Sequence, residues 1–342
     1  MTTLNYRSAV ALCAGLILAA AMRPSGAHDL EHAGPHDAAH HDAHQEPDHA
    51  RIQSQLTAFR VTGDDTHLDA AWASLEPHLG DPTLLELIDA AVVAQARHDF
   101  TLANTLLRDA IARDHDNDEA WLQLASLQLV RGAHEEADYA CRKLRHVSLL
   151  VAATCHARVD IAQGNGEAAH RRIDAILRGT RREWADAEVL AWTLSVAGDA
   201  AAATDPKTAV THYEESLALA DRTQVRAALV DVLITLGRID AAKGVLVGAP
   251  DALALSVRKM IVGIPINHEP DLERAIMQAD QQFRTWIADE DWAHSREMTR
   301  FYLDVLPNPE LAQRLARINL SIQREPEDQR LATRAAALSP AS

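Results

Sequence analysis

Five small residues constrain the folding of this 342-residue chain more than anything else in it. Ala103, Ala137, Ala169, Ala209 and Ala242 follow one another at gaps of 34, 32, 40 and 33 residues, each in a stretch with helical periodicity. A helix of about 13 residues is roughly 20 Å long and marginal in isolation, so a pair of such helices must lay its apolar stripe on the next pair to bury it. Around the alanines the same pattern returns: Ala157, Gly164 and Ile173 near Ala169; Leu229, Gly237 and Leu246 near Ala242; Leu107, Ala110 and Ile111 near Ala103. Gly132, Gly164 and Gly237 fall where one helix must turn into the next, and glycine takes the left-handed conformation at least cost. The 40-residue gap contains Ala197 to Thr208, which reads as a longer hairpin connection ended by Pro206.

The stretch DEAWLQLASLQLVRGAHEEADYACRKL, Asp118 to Leu144, sets Trp121, Leu124, Ala125, Gly132 and Ala137 in an order that resembles the tetratricopeptide repeat, a helix pair with a period of 34. The resemblance covers roughly residues 50 to 325 and departs from the family pattern where Gln128 and Asp160 replace the first-helix aromatic and only Tyr213 supplies the second. It implies an all-α fold, a right-handed superhelical solenoid of stacked antiparallel helix hairpins. An ordinary helical bundle is the alternative. It further implies a concave groove formed by the first helices of successive hairpins, which would take a protein or peptide partner, with Glu119, Ser126, Thr154, Arg158, Gln224 and Asp231 lining it.

Flanking the repeats, residues 1–27 have the three parts of an export signal: Arg7, an apolar run from Ala9 to Met22, and small residues at Ser25 and Ala27. The expected location is periplasmic or secreted. That run is too short for a span, which needs about 20 residues, and no later stretch approaches that length. Losing the segment removes Arg7 and Arg23 and no acid, so the formal charge of −16 becomes −18, which disfavours nucleic acid as a partner. The expected organisation is then a histidine-rich segment at 28–49, repeats at 50–262, a joint at 263–271 carrying two prolines, and a degenerate last repeat with a capping helix at 272–342. Phe301 to Leu306 and Glu310 to Leu331, as a final hairpin and closing helix, resemble exported bacterial repeat proteins found alongside metal permeases. A permease is therefore one candidate partner.

After signal removal Cys141 and Cys155 remain, an even number in an oxidising compartment. They are symmetric about Ser148, where one hairpin should turn into the next. Facing positions on antiparallel helices about 8 to 10 Å apart bring Cα atoms to about 5 Å, within disulfide range. Two small buried thiols are the other reading.

Six of the eighteen histidines (His28, His32, His36, His40, His41 and His44) lie in seventeen residues, and His49 follows. Spacing of four puts imidazoles on one helical face, where a pair grips a divalent transition metal such as Cu, Ni or Zn. Gly34 and Pro35 interrupt any helix, so the segment is expected to be disordered without metal. A solubilising polar tail has the same composition.

Motifs for chemistry fail. HEEAD at His134 lacks the second histidine of a zinc-protease helix, and the segment Asp114 to Ala125 has Glu119 where a calcium loop needs glycine. GNGEAA at Gly164 lacks the third glycine of a dinucleotide fingerprint. No enzyme is expected. His98, His115 and His146 read as exposed residues at helix ends, and Trp286 and Trp292 as core packing in preference to a contact surface.

Overall fold

The computed structural model describes residues 49–180, 185–263 and 272–338, and among these there are only helices and their connections. They form antiparallel hairpins in series: α1 (His49–Thr62) with α2 (Thr66–Leu75), α3 (Leu84–Ala96) with α4 (Phe100–Arg113), α5 (Asp118–Val130) with α6 (His134–Lys143), and α7 (Leu149–Ala162) with α8 (Gly166–Gly179). Then come α9 (Ala187–Ala201) with α10 (Pro206–Leu219), α11 (Thr223–Thr235) with α12 (Ile239–Leu246), α13 (Leu253–Ile261), α14 (Leu272–Ala288), α15 (Ser295–Asp304) with α16 (Pro309–Ile322), and a last helix α17 (Pro326–Ala336). The signal segment and His28 through His44 lie outside the described residues, as does the proline-bearing joint from residue 264 onward.

The alanine register is the framework of the solenoid. Ala103, Ala137, Ala169, Ala209 and Ala242 are each the fourth residue of their helix, and each is 0% exposed. A methyl group at that position lets the second helix of a hairpin lie close on the first. Ala312 repeats the arrangement in α16. Between the two helices of a hairpin the chain turns through Gly132, Gly164 and Gly237, at φ of 74°, 83° and 70°. In each turn the following amide reaches back five residues, as Ala133 N to Gln128 O at 2.8 Å, Asn165 N to Asp160 O at 2.7 Å and Arg238 N to Leu233 O at 2.9 Å, closing the open carbonyls of the helix end. Side-chain caps start the next helices: Asp99, Asn117, Ser148, Asp186, Asp205 and Asn308 each accept a hydrogen bond from an amide in the first turn.

The extra length between Ala169 and Ala209 is placed differently from the sequence expectation. Residues 197–201 complete α9, and the hairpin connection is only 202–205. Half of the excess over the Ala103–Ala137 unit lies between hairpins, from Thr180 to Asp186, and the rest lengthens α9 and the hairpin connection. Alanine-rich sequence favours helix over loop, which explains the difference.

First and second helices bury themselves differently. In α8 only Ala169, Ile173 and Leu177, one stripe at spacing of four, are buried. In α5 every residue except Glu119 is buried, and in α3 everything from Glu86 to Ala96. α3 and α5 are therefore covered on the side away from their partners as well, because the solenoid closes on itself there, whereas α7 and α11 keep unburied positions. Thr223, opening α11, donates its hydroxyl to the carbonyl of Val61 at the end of α1 at 2.7 Å. The connection between α16 and α17 lies across the end of α5, where Arg324 N donates to Val130 O at 2.7 Å. An open concave groove is thus narrowed to an internal channel, with α15 to α17 packed against one end of it.

Cys141 in α6 and Cys155 in α7 form a disulfide with Cα atoms 5.8 Å apart, and both are 2% exposed. Ser148, midway between them, caps α7. The symmetry about the turn brings the two positions face to face.

Candidate functional site

The channel widens into a cavity of about 230 Å³ between the C-terminal ends of α5, α7 and α9, the helices α11 and α13, and the α15–α17 unit. Its apolar wall comes from Leu129, Ile161, Ala227, Ala228 and Val232, and its polar wall from Arg158, Asp199, Tyr213, Gln224 and Asp231. Gly198 makes this geometry possible. A methyl there would lie 2.5 Å from the Tyr213 ring, so glycine lets that ring rest on α9, where its hydroxyl donates to Asp199 at 2.7 Å. Burial pushes the Asp199 carboxyl up from its ordinary value, against the opposing Tyr213 hydrogen bond.

One side of the cavity is a charge network. Asp231 takes paired hydrogen bonds from Arg258 (2.9 and 2.7 Å) and from Arg300 (2.9 and 2.7 Å). Arg300 also reaches Glu327 at 2.9 Å, and Arg258 reaches Glu297 at 3.3 Å. Burial works against the charge of Arg258, but Asp231 and then Glu297 outweigh it and hold its pKa above the ordinary value. A second cluster seats Arg296 on Asp328 (2.6 and 2.7 Å) and on Glu325 (2.7 Å). Bidentate pairs of this kind fix orientation, and they orient the C-terminal unit against α11 and α13.

Of the six side chains expected in the groove, Arg158, Gln224 and Asp231 line the cavity. Ser126 is buried and accepts from Arg158 Nη1 at 3.1 Å, so it positions the arginine without facing the space. Thr154 is fully buried, bonded to the carbonyl of Leu150 at 2.7 Å and to the Thr193 hydroxyl at 2.9 Å, so it has no access to a partner. Its place on the inner helix is the reason: α7 packs there directly on α9. Glu119 lies apart from the cavity, at the start of α5, where burial raises its pKa to about 7 despite a hydrogen bond from Gln123 Nε2 at 2.7 Å. Sequence reasoning missed Arg258, Arg296, Arg300 and Arg330. Arg296 and Arg300 stand four apart, which marks one helical face, but such pairs ordinarily belong to solvated surfaces.

His98 is not the exposed end residue its position suggested. It occupies the turn position that glycine holds in other hairpins, at φ 61°, and both ring nitrogens are shut from solvent without a hydrogen-bond partner. Burial first, then the charges of Arg296 and His294 across the seam, lower its pKa to about 3. His115 and His146 are exposed as expected. Trp286 stacks on His294 at 4.3 Å and on Phe283 at 5.5 Å, while Arg314 lies 5.7 Å over Trp292, so both tryptophans pack inside the C-terminal unit.

Among the histidines proposed as metal ligands, only His49 is described. It opens α1, where it was expected to end the tail, and its Nδ1 lies 2.6 Å from Asp89 Oδ2. Among the described residues no group of three or more His, Cys, Asp or Glu is arranged to hold a metal, and no helix is long and apolar enough to cross a membrane.

Hairpins in series, a buried alanine at the fourth position of the second helix in five successive hairpins and an inner channel define a TPR-like helical-repeat protein. No family model matches the chain, and no curated protein does. Among solved structures, a chain of the APC/C hetero-tetramer Cut9–Hcn1 is similar with a TM-score of 0.45 and 16% identity, over 82% of this chain and 48% of that one. This chain therefore spans about half the length of that relative. A tetratricopeptide repeat protein from Parabacteroides merdae is similar with a TM-score of 0.40 and 13% identity, over 84% of this chain and 98% of that one.

Proposed function

We propose that this protein is an exported, non-catalytic scaffold that holds a protein or peptide partner through its inner helices, an anchoring side chain of the partner entering the cavity. The cavity carries the reading: about 230 Å³ of space walled by apolar side chains on one side and by Arg158, Gln224 and Asp231 on the other. Binding energy in such contacts concentrates in a few anchors seated in pockets. Asp231 is held by two arginines and Arg158 is engaged by Ser126, so Gln224 is the residue placed to select the anchor. Full-length protein used as bait in an envelope extract should retain a partner that is lost with Gln224→Trp, which fills the cavity. Equal capture by both proteins would refute the assignment.

A second reading rests on six histidines in seventeen residues. In it His28, His32, His36, His40, His41 and His44 collect Cu, Ni or Zn, and the repeats dock on a metal permease or a receiving enzyme. His49 is engaged by Asp89 and contributes less. Calorimetric titration of the chain with and without residues 28–48 separates the two readings. Metal affinity no better than that of a scrambled tail would eliminate this one.

A further inference from the structure

A second polar cluster lies on the inner face, at the N-terminal ends of α5 and α9, bounded by α1, α3 and the start of α11. Its centre is Arg60. The guanidinium Nε and Nη2 are shut from solvent, and neither has a hydrogen-bond partner. The nearby carboxylate of Glu188 is already engaged by Arg222. Burial, and then repulsion from Arg222, lower the Arg60 pKa to about 10. A buried arginine left without an acceptor is costly, and a native fold rarely keeps one without reason.

Facing it is Glu119, whose own hydrogen bond comes from the Gln123 amide. Arg60 and Glu119 attract each other through space, yet no ion pair joins them among the described residues. Two further atoms in this cluster are unsatisfied. Gln123 donates to Glu119 and Gln53 donates to Asp89 at 2.8 Å, and the Oε1 of each glutamine is buried and accepts nothing. The remaining charges are paired: Asp89 with His49, and Glu188 with Arg222.

The cluster therefore offers one unpaired cation at one side and, at the other, a carboxylate with amide oxygens, all acceptors. A guest that completes it carries an anionic group and N–H donors on one small skeleton, with no net charge. We propose that this cluster binds a free α-amino acid, its carboxylate against Arg60 and its ammonium against Glu119 and the amide oxygen of Gln123. Arg60, Glu119 and Gln53 are each part-exposed, so the cluster borders solvent. The site is separate from the cavity above and does not depend on the protein-partner reading.

The test is calorimetric titration of the full-length protein with each of the twenty free L-amino acids, and with acetate and methylammonium as probes having one end only. At least one amino acid should bind, and both one-ended probes should bind at least about tenfold more weakly. Arg60→Gln and Glu119→Gln should each weaken that amino acid by at least about tenfold. In the wild-type protein, affinity should rise roughly tenfold from about pH 6 to about pH 8 as Glu119 ionises, a readout that needs no variant to fold. Silence from all twenty amino acids, acetate binding as tightly as the best of them, or a flat pH profile would each overturn the proposal.

Discussion

Replacing His98 by asparagine isolates one titrating group in the seam between the repeats and the C-terminal unit. Asparagine accepts the left-handed backbone that His98 adopts, so the turn is kept. The His98 pKa is about 3 in the folded protein, lowered by burial and then by Arg296 and His294, against 6.5 when unfolded. As pH falls the unfolded chain takes up the proton first. The stability due to a neutral buried His98 is thus fully present above pH 6.5 and decays below it, toward the folded value near 3. Each pH unit below 6.5 costs about 1.4 kcal/mol, so at about pH 5 the loss is about 2 kcal/mol. His294, lowered to about 4 by burial, loses a similar amount in the same window. Glu119, raised to about 7 by burial, runs the other way: its folded form gains protons first, and its contribution grows as pH falls from 7 toward 4.5. The wild-type curve is therefore a sum of opposed effects, whereas the difference between wild type and His98→Asn retains the His98 part alone. Urea denaturation followed by far-ultraviolet circular dichroism at about pH 8 and about pH 5 measures that difference. It should move in favour of the variant by about 2 kcal/mol on acidification. An unchanged difference would mean that His98 is not held neutral in the seam.

The disulfide between Cys141 and Cys155 closes a loop of 14 residues, so reduction, or the double change to alanine, should lower stability by about 3 kcal/mol; scanning calorimetry with and without reductant checks this, and equal melting curves would contradict it. Gly198→Ala should cost about 1 to 3 kcal/mol because its methyl would meet the Tyr213 ring, and combining it with Tyr213→Ala should recover part of that cost, read from urea midpoints. Asp231→Asn should destabilise by about 3 kcal/mol, the low end for a broken buried pair, since Arg258 keeps Glu297 and Arg300 keeps Glu327; a change below about 0.5 kcal/mol would show the network to be solvent-screened.

Legibility in the sequence followed the range of the interaction. The hairpins, their glycine turns and the Ala103 to Ala242 register are local or nearest-neighbour features, and periodicity carries them. The disulfide was legible for the same reason, because Cys141 and Cys155 flank one turn. Closure of the solenoid was not. It depends on Thr223 meeting Val61 and Arg324 meeting Val130, contacts that no local pattern encodes. The site inherits that limit: Arg158, Gln224 and Asp231 were implied by the resemblance to a repeat family, while Arg258, Arg296 and Arg300 acquire their roles only when α15 to α17 pack against the channel. His98 was misread because a histidine in a glycine position looks like an exposed turn until another part of the chain covers it.

Closure of the inner face by the C-terminal unit underlies the cavity, and the Arg324 amide reports on it directly, since its hydrogen bond crosses to Val130 in α5. Hydrogen exchange of the full chain, resolved to that amide, should show protection comparable to the amides inside α16. Exchange at the rate of a free, solvated amide would mean that the groove stands open and that the channel described above does not form.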